Sequence, residues 1–348
     1  MLKPIKMSFF YREYNPPFLF KNTHANTILA ALFRKKLPLD YKRQRFFLND
    51  GDFVDLDFVQ KGEDKLVILL HGLEGSSDRA YIRGMAKIFS QNNFDVLSFN
   101  FRGCSGEPNL SMKGYHMAAT EDLEEVVLSL HKTDTYISIY LIGFSLGGSV
   151  VLRFLANQGN NPAYYKVKGG VAFSVPLHLA EANKAIGKFE NILYRLRFLR
   201  SLKRKMKQKQ EQFPEIPFFT AKWRYNFTFF DDFYTGPFHG FLNAKDYWEK
   251  AAVLTHLPNI SLPCLLVNAE NDSFLSSFCF PYHLDTKQNN FYFLKPKWGG
   301  HVGFMPVNKN GFLWSEELAL HFIESIHQNE DCSVTLVDNQ IFANDTTT

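Results

Sequence analysis

The chain alternates between short apolar runs and longer stretches of helical periodicity. Residues 43–48 and 53–60 alternate apolar with polar positions around Asn49-Asp50-Gly51-Asp52, which predicts a β-hairpin. Residues 65–70 form a continuous apolar strand ending in His71-Gly72-Leu73-Glu74-Gly75, and a helical pattern follows over 78–92. The next strand, 94–101, closes in Arg102-Gly103-Cys104-Ser105-Gly106-Glu107-Pro108, and 116–131 reads as a helix with acidic residues in its first half. A third buried run, 136–142, leads through Gly143-Phe144-Ser145-Leu146-Gly147 into an apolar helix reaching about 157, and 167–176 is another strand.

There the rhythm stops. Residues 177–259 carry no further buried-strand signal, only a basic stretch at 195–209 and an aromatic block at 218–241. It resumes with strands at 263–269 and 291–294 and a closing helix at 314–327. Strands alternating with helices at this spacing predict a mostly parallel sheet with right-handed crossovers, the hairpin lying at its leading edge. The expected organisation is an N-terminal arm (1–42), a core (43–176 and 260–328), a helical cap inserted at 177–259, and a loose polar tail (329–348).

Composition narrows the picture. With 348 residues, 45% of them hydrophobic and 21% charged, the chain has material for a large core. A net charge of +4 is too mild to argue for nucleic acid, and no nucleic-acid motif is visible. The 36 phenylalanines suit core filling first and an acyl pocket second. Cys104, Cys264, Cys279 and Cys332 show no framework spacing, and the eleven histidines no metal spacing, so neither disulfides nor a metal is expected. The first residues contain no apolar run long enough for a signal peptide or a membrane span, so the expectation is a soluble, cytoplasmic protein.

The chemistry centres on Ser145. Strand, G-x-S-x-G, helix is the spacing of a nucleophile elbow, in which glycines let strand and helix pass closely while the serine hydroxyl is lifted from the sheet. A serine needs a base, and the base an orienting carboxylate. In this arrangement the acid and then the histidine follow the serine along the chain, each after a strand. His321 and His327 fall in the closing helix and His283 precedes the last strand, which leaves His301 in Trp298-Gly299-Gly300-His301-Val302-Gly303. For the acid, Asp272 lies just past a strand's carboxyl end; Glu270 is second choice, and Asp285 is too far along. A helix N-cap is the alternative role for Asp272. The expected oxyanion donors are the backbone N–H groups of Leu73 and Leu146. His71 and His116 read as structural, Cys104 has no elbow around it, and Arg102 is favoured as a loop-pinning ion-pair residue over a headgroup ligand.

These motifs together carry a resemblance. HGLEGSS, FNFRGCSGEPN, the Tyr115-His116 step into Thr120-Glu121-Asp122, GFSLGG and GGHVGF, with Pro16-Pro17-Phe18 near the start and Phe230-Asp231-Asp232, His239-Gly240-Phe241 and Asp246-Tyr247 in the interruption, resemble the YheT-like branch of the α/β-hydrolases. The resemblance implies an α/β-hydrolase fold: an eight-stranded, mostly parallel sheet with helices on both faces and a helical cap. It implies a carboxylic ester hydrolase acting on medium-chain acyl esters or lipids, with nucleophile, acid and base matching Ser145, Asp272 and His301. Relatives often have proline after the acid where this chain has Ser273. No cofactor is called for. The rival readings are an acyltransferase using the same acyl-enzyme and a non-catalytic binding protein on the same scaffold. The basic stretch at 195–209 reads as a cap helix with a solvated cationic face, and secondarily as peripheral contact with an anionic membrane.

Overall fold

The structure, a computed structural model, describes residues 12–157, 166–216, 226–282 and 290–328. The expected tail and Asp285, His283 and Cys332 lie outside the described residues. Helix α1 (Thr23–Phe33) lies within the N-terminal segment 1–42, its first turn capped by Asn22, whose side chain accepts from the Ala25 N–H. Then come the hairpin β1 (Lys42–Phe47) and β2 (Phe53–Val59), β3 (Lys65–Leu70), α2 (Ala80–Gln91), β4 (Asp95–Asn100), α3 (Glu121–Lys132), β5 (Ser138–Phe144), α4 (Leu146–Asn157) and β6 (Val167–Phe173). Helices α5 (Leu179–Gly187) and α6 (Ile192–Gln212) lead the next stretch, and β7 (Cys264–Val267), β8 (Phe291–Leu294) and the helix Trp314–His327 complete the chain.

The eight strands among the described residues form one sheet in the order β1-β2-β4-β3-β5-β6-β7-β8. The β1–β2 and β2–β4 pairs are antiparallel and every other pair is parallel, so the hairpin forms the leading edge. Parallel strands need both faces covered, and the side chains divide accordingly. Leu66, Ile68 and Leu70 of β3 with Ile139 and Leu141 of β5 pack against α3 and α4. Val67, Leu69, Tyr140 and Ile142, one position out of phase, pack against α2 and the closing helix. The period-two alternation inside apparently uniform apolar runs thus sorts each strand between two cores.

Among the boundaries that differ from expectation, those of β5 and α3 have a visible cause. Strand β5 begins at Ser138, because Ile137 is exposed and spends its N–H on the Asp64 carbonyl. Helix α3 begins at Glu121 rather than 116. The His116 ring packs edge-on against His239, Phe241 and Tyr247, and residues 116–119 close as a turn through Ala119 N–H to His116 O. Between β6 and β7 the described residues contain helices and no strand, with α6, 21 residues long, as the main element. Buried Leu199, Leu202, Ile216, Phe230 and Tyr234 give this segment a small core of its own. Among the described residues no helix is long and apolar enough to cross a membrane.

Candidate active site

Ser145 sits between the end of β5 and the start of α4 with φ of +53°, a left-handed conformation that costs a non-glycine residue about 1 kcal/mol or more. Its N–H donates to Phe173 O and its carbonyl accepts from Ser149 N–H, so sheet and helix both hold the turn. The flanking glycines are required sterically. A Cβ on Gly143 would lie 2.3 Å from Gly147 O, and one on Gly147 would lie 2.4 Å from Leu70 O.

The structure brings Ser145, His301 and Asp272 together from positions far apart in the chain. His301 Nε2 lies 3.0 Å from Ser145 Oγ, and His301 Nδ1 lies 2.8 Å from Asp272 Oδ2. A carboxylate can only accept, so Nδ1 carries the proton and Nε2 is left to accept from the serine hydroxyl. The other oxygen of Asp272 accepts from the Phe274 N–H at 2.9 Å and so closes a turn; the alternative role of helix N-cap is not filled, since the next helical element begins only at Ser277. Asp272 is fully enclosed and His301 nearly so, with the Phe274 ring stacked 4.2 Å from the imidazole. Glu270, the second choice, is turned away and pairs with Lys295.

The histidine loop is held by side chains from separate parts of the chain. His301 N–H donates to Thr27 Oγ1, Met305 N–H donates to Asn26 Oδ1, and Asn271 links Gly300 N–H to the Lys21 carbonyl. Asn26 is completely buried, and its amide nitrogen donates to Tyr14 OH and Phe20 O. Val302, at φ of +58°, gives its N–H to Ser174 Oγ at the end of β6. The N-terminal arm is therefore built into the site. Nothing local in the sequence signals this, since Asn26 and Thr27 lie in an ordinary helical stretch.

Leu146 opens α4, so its N–H has no carbonyl behind it within the helix. The Leu73 N–H has no acceptor among the described residues. Both residues border the cavity at Ser145. The next residue, Glu74, has φ of +54° and is nine-tenths buried. Its carboxylate accepts from Tyr115 OH (2.8 Å), Ser201 Oγ (2.5 Å) and Lys205 Nζ (2.8 Å), the last two from α6. Burial pushes its pKa up, but the Lys205 charge and these hydrogen bonds outweigh that and hold it below the usual carboxylate range. Sequence reasoning passed over Glu74, Ser201 and Lys205, although Glu74 stands inside the quoted HGLEGSS motif.

The remaining candidates are structural. His71 is fully buried, donating from Nδ1 to Gly72 O and accepting the Phe101 N–H at Nε2; burial drops its pKa to about 3 and keeps it neutral. Burial, and secondarily His239, does the same to His116. Arg102 is committed to Asp122, Asp50 and Asp52. Cys104, Cys264 and Cys279 are free thiols, and burial raises each above its ordinary pKa. Among the described residues no group of three or more His, Cys, Asp and Glu side chains converges to hold a metal ion.

Ser145 and His301 open onto a cavity of about 200 Å³ roofed by α6 and walled by apolar side chains including Leu202, Met206, Phe230 and Phe238.

Comparison with known proteins agrees with the fold. Residues 65–163 match the family model described as alpha/beta hydrolase fold. The Escherichia coli (strain K12) protein named "Putative esterase YheT" is 31% identical over 84% of this chain and 87% of its own length. The chain belongs to the YheT-like branch of the α/β-hydrolases. More distant members of the family include the Mus musculus phospholipase ABHD3, 25% identical over 84% of this chain and 73% of its own. Another is a Saccharomyces cerevisiae monoacylglycerol lipase, 26% identical over 75% of this chain and 59% of its own. In fold, the chain resembles the Pyrococcus furiosus esterase Pf2001, with a TM-score of 0.54 at 18% identity covering 94% of this chain and 99% of that one.

Proposed function

We propose that this α/β-hydrolase is a carboxylic ester hydrolase in which Ser145 attacks the substrate carbonyl and His301 and Asp272 serve as base and orienting acid. The observation that carries the reading is the unbroken line Asp272 Oδ2, His301, Ser145 Oγ, at 2.8 and 3.0 Å, ending at an apolar cavity. As Ser145 Oγ bonds to the carbonyl carbon, its proton passes to His301 Nε2, and Asp272 stabilises the imidazolium through Nδ1–H. The carbonyl oxygen becomes an oxyanion that accepts from the N–H groups of Leu73 and Leu146. When the tetrahedral centre collapses, the bond to the alcohol oxygen breaks and His301 returns the proton to that oxygen. Water then repeats the sequence on the acyl-enzyme and releases the carboxylic acid.

The cavity's apolar lining supports an acyl group, which we take to be of medium chain length, and the relatives named esterase, phospholipase and monoacylglycerol lipase support an ester or lipid substrate. In this reading, 177–259 acts as a cap whose helix α6 closes the acyl chamber. A fluorophosphonate probe with mass mapping is the direct test. Adduct on Ser145, absent from heat-denatured protein and blocked by a preferred ester from a panel graded by chain length, is expected. Adduct elsewhere, or none in protein shown to be folded, overturns the reading.

A further inference from the structure

Helix α6 has two faces with different company. Phe198, Leu202, Lys205, Met206 and Lys209 point into the cavity, while Leu193, Arg197, Arg200, Arg204 and Lys207, in steps of four and three, are exposed. At ~100° per residue these two stripes lie on opposite sides of the helix. Over its length α6 carries eight lysines and arginines and one glutamate, a net +7, against +4 for the whole chain, so the rest of the molecule carries −3. No carboxylate pairs with Arg197, Arg200, Arg204 or Lys207 among the described residues.

Apolar side chains border this stripe at its N-terminal end. Phe189, in the turn leading into α6, is 86% exposed, and Leu193 beside it is also exposed. The arm meets the helix here through the stacked rings of His24 and Tyr194, with Phe18 (90% exposed) and Leu19 shortly before them in the chain. Exposed large apolar side chains beside unpaired cations complement a surface with anionic headgroups above hydrocarbon, whereas a solvated face has no use for the phenylalanines.

We propose that the outer face of α6 docks the protein on an anionic phospholipid bilayer, with Arg197, Arg200, Arg204 and Lys207 on the headgroups and Phe189, Leu193 and Phe18 in the layer beneath. The membrane then lies about one helix diameter, 10–12 Å, from the acyl chamber. The docking face goes beyond the esterase reading and stands without it.

The test is co-sedimentation of the full chain with vesicles of phosphatidylcholine alone and of phosphatidylcholine with phosphatidylserine, at low and high salt. Turnover of a water-soluble short-chain ester is followed in parallel. Binding to the anionic vesicles that fades with salt is expected. Each cation near such a surface is worth roughly fivefold in partition, so replacing all four with glutamine should weaken binding about a hundredfold or more. Phe189→Ser should weaken binding at every salt concentration. Soluble-ester turnover should stay unchanged in both variants, since neither touches the Ser145–His301–Asp272 line; a failure of the esterase reading would show only in that assay. Absence of vesicle binding, equal binding to neutral vesicles, a four-glutamine variant that binds like the parent, or retention on a soluble polyanion without vesicle binding would each overturn the proposal.

Discussion

Glu74 and Lys205 meet at 2.8 Å where the loop carrying Leu73 touches helix α6. Burial works against the Lys205 charge, but the Glu74 carboxylate and the hydrogen bond to Cys104 Sγ raise its pKa above the ordinary value, so Lys205 and Glu74 form an ion pair at the roof of the site. The contact ties the backbone at an expected oxyanion donor to α6. Replacing Glu74 with glutamine leaves the Lys205 charge without its partner, which should destabilise the fold by about 3 kcal/mol. It should also lower kcat about tenfold with KM within twofold, because the loss falls on transition-state geometry rather than on binding. Glu74→Gln combined with Lys205→Met should recover thermal stability but not kcat. Recovery of both would reduce the pair to a structural contact.

Asn26 and Met305 supply a second test, in the arm. Replacing Asn26 with alanine strands a buried N–H at Met305 and a carbonyl at Phe20. The expected cost is about 2–3 kcal/mol, read by chemical denaturation. Activity should fall further than stability accounts for, since the histidine loop loses one of the hydrogen bonds that hold it. Asn26→Asp, which keeps the acceptor for Met305, should retain more activity than Asn26→Ala.

Asp231 gives a prediction with a pH sign. Burial pushes its carboxyl up to about 6 against hydrogen bonds from Trp248 Nε1 (2.8 Å) and Thr235 Oγ1 (2.7 Å). Its folded pKa exceeds the unfolded value of about 3.9, so its contribution to stability is complete below that value and is lost as pH rises through about 6. A rise of about two, at about 1.4 kcal/mol each, amounts to at most about 3 kcal/mol. Asp231→Asn can keep both partners if the Thr235 hydroxyl turns to accept. The variant should therefore match the parent near pH 4 and melt higher at pH 8; a difference that stays constant across that range, or one that turns against the variant as pH rises, would contradict this.

The parts of this molecule that were legible in the sequence are those where one physical cause acts on neighbouring residues. Buried parallel strands need unbroken apolar runs, and 65–70 and 291–294 appear as β3 and β8 with the same ends. The closing helix likewise occupies 314–327. Ser145 stood out because the close passage of Gly143 and Gly147 is a local steric demand. His301 and Asp272 could be singled out because strand ends fix which loops reach the serine. The supports of the site were hidden for the opposite reason. Thr27 reaches His301 across 274 positions and Ser201 reaches Glu74 across 127, and hydrogen bonds of that kind leave no periodicity or spacing to read. The early boundary expected for α3 failed because helical propensity at His116 yields to ring packing with His239 and Phe241.

The account turns on whether the hydroxyl 3.0 Å from His301 Nε2 is the group that attacks the ester. The direct measurement is kcat for a p-nitrophenyl ester with Ser145→Ala beside the parent protein, both verified as folded by circular dichroism. A fall of about 10⁴-fold or more at unchanged melting temperature is predicted. Turnover equal to the parent's would contradict it.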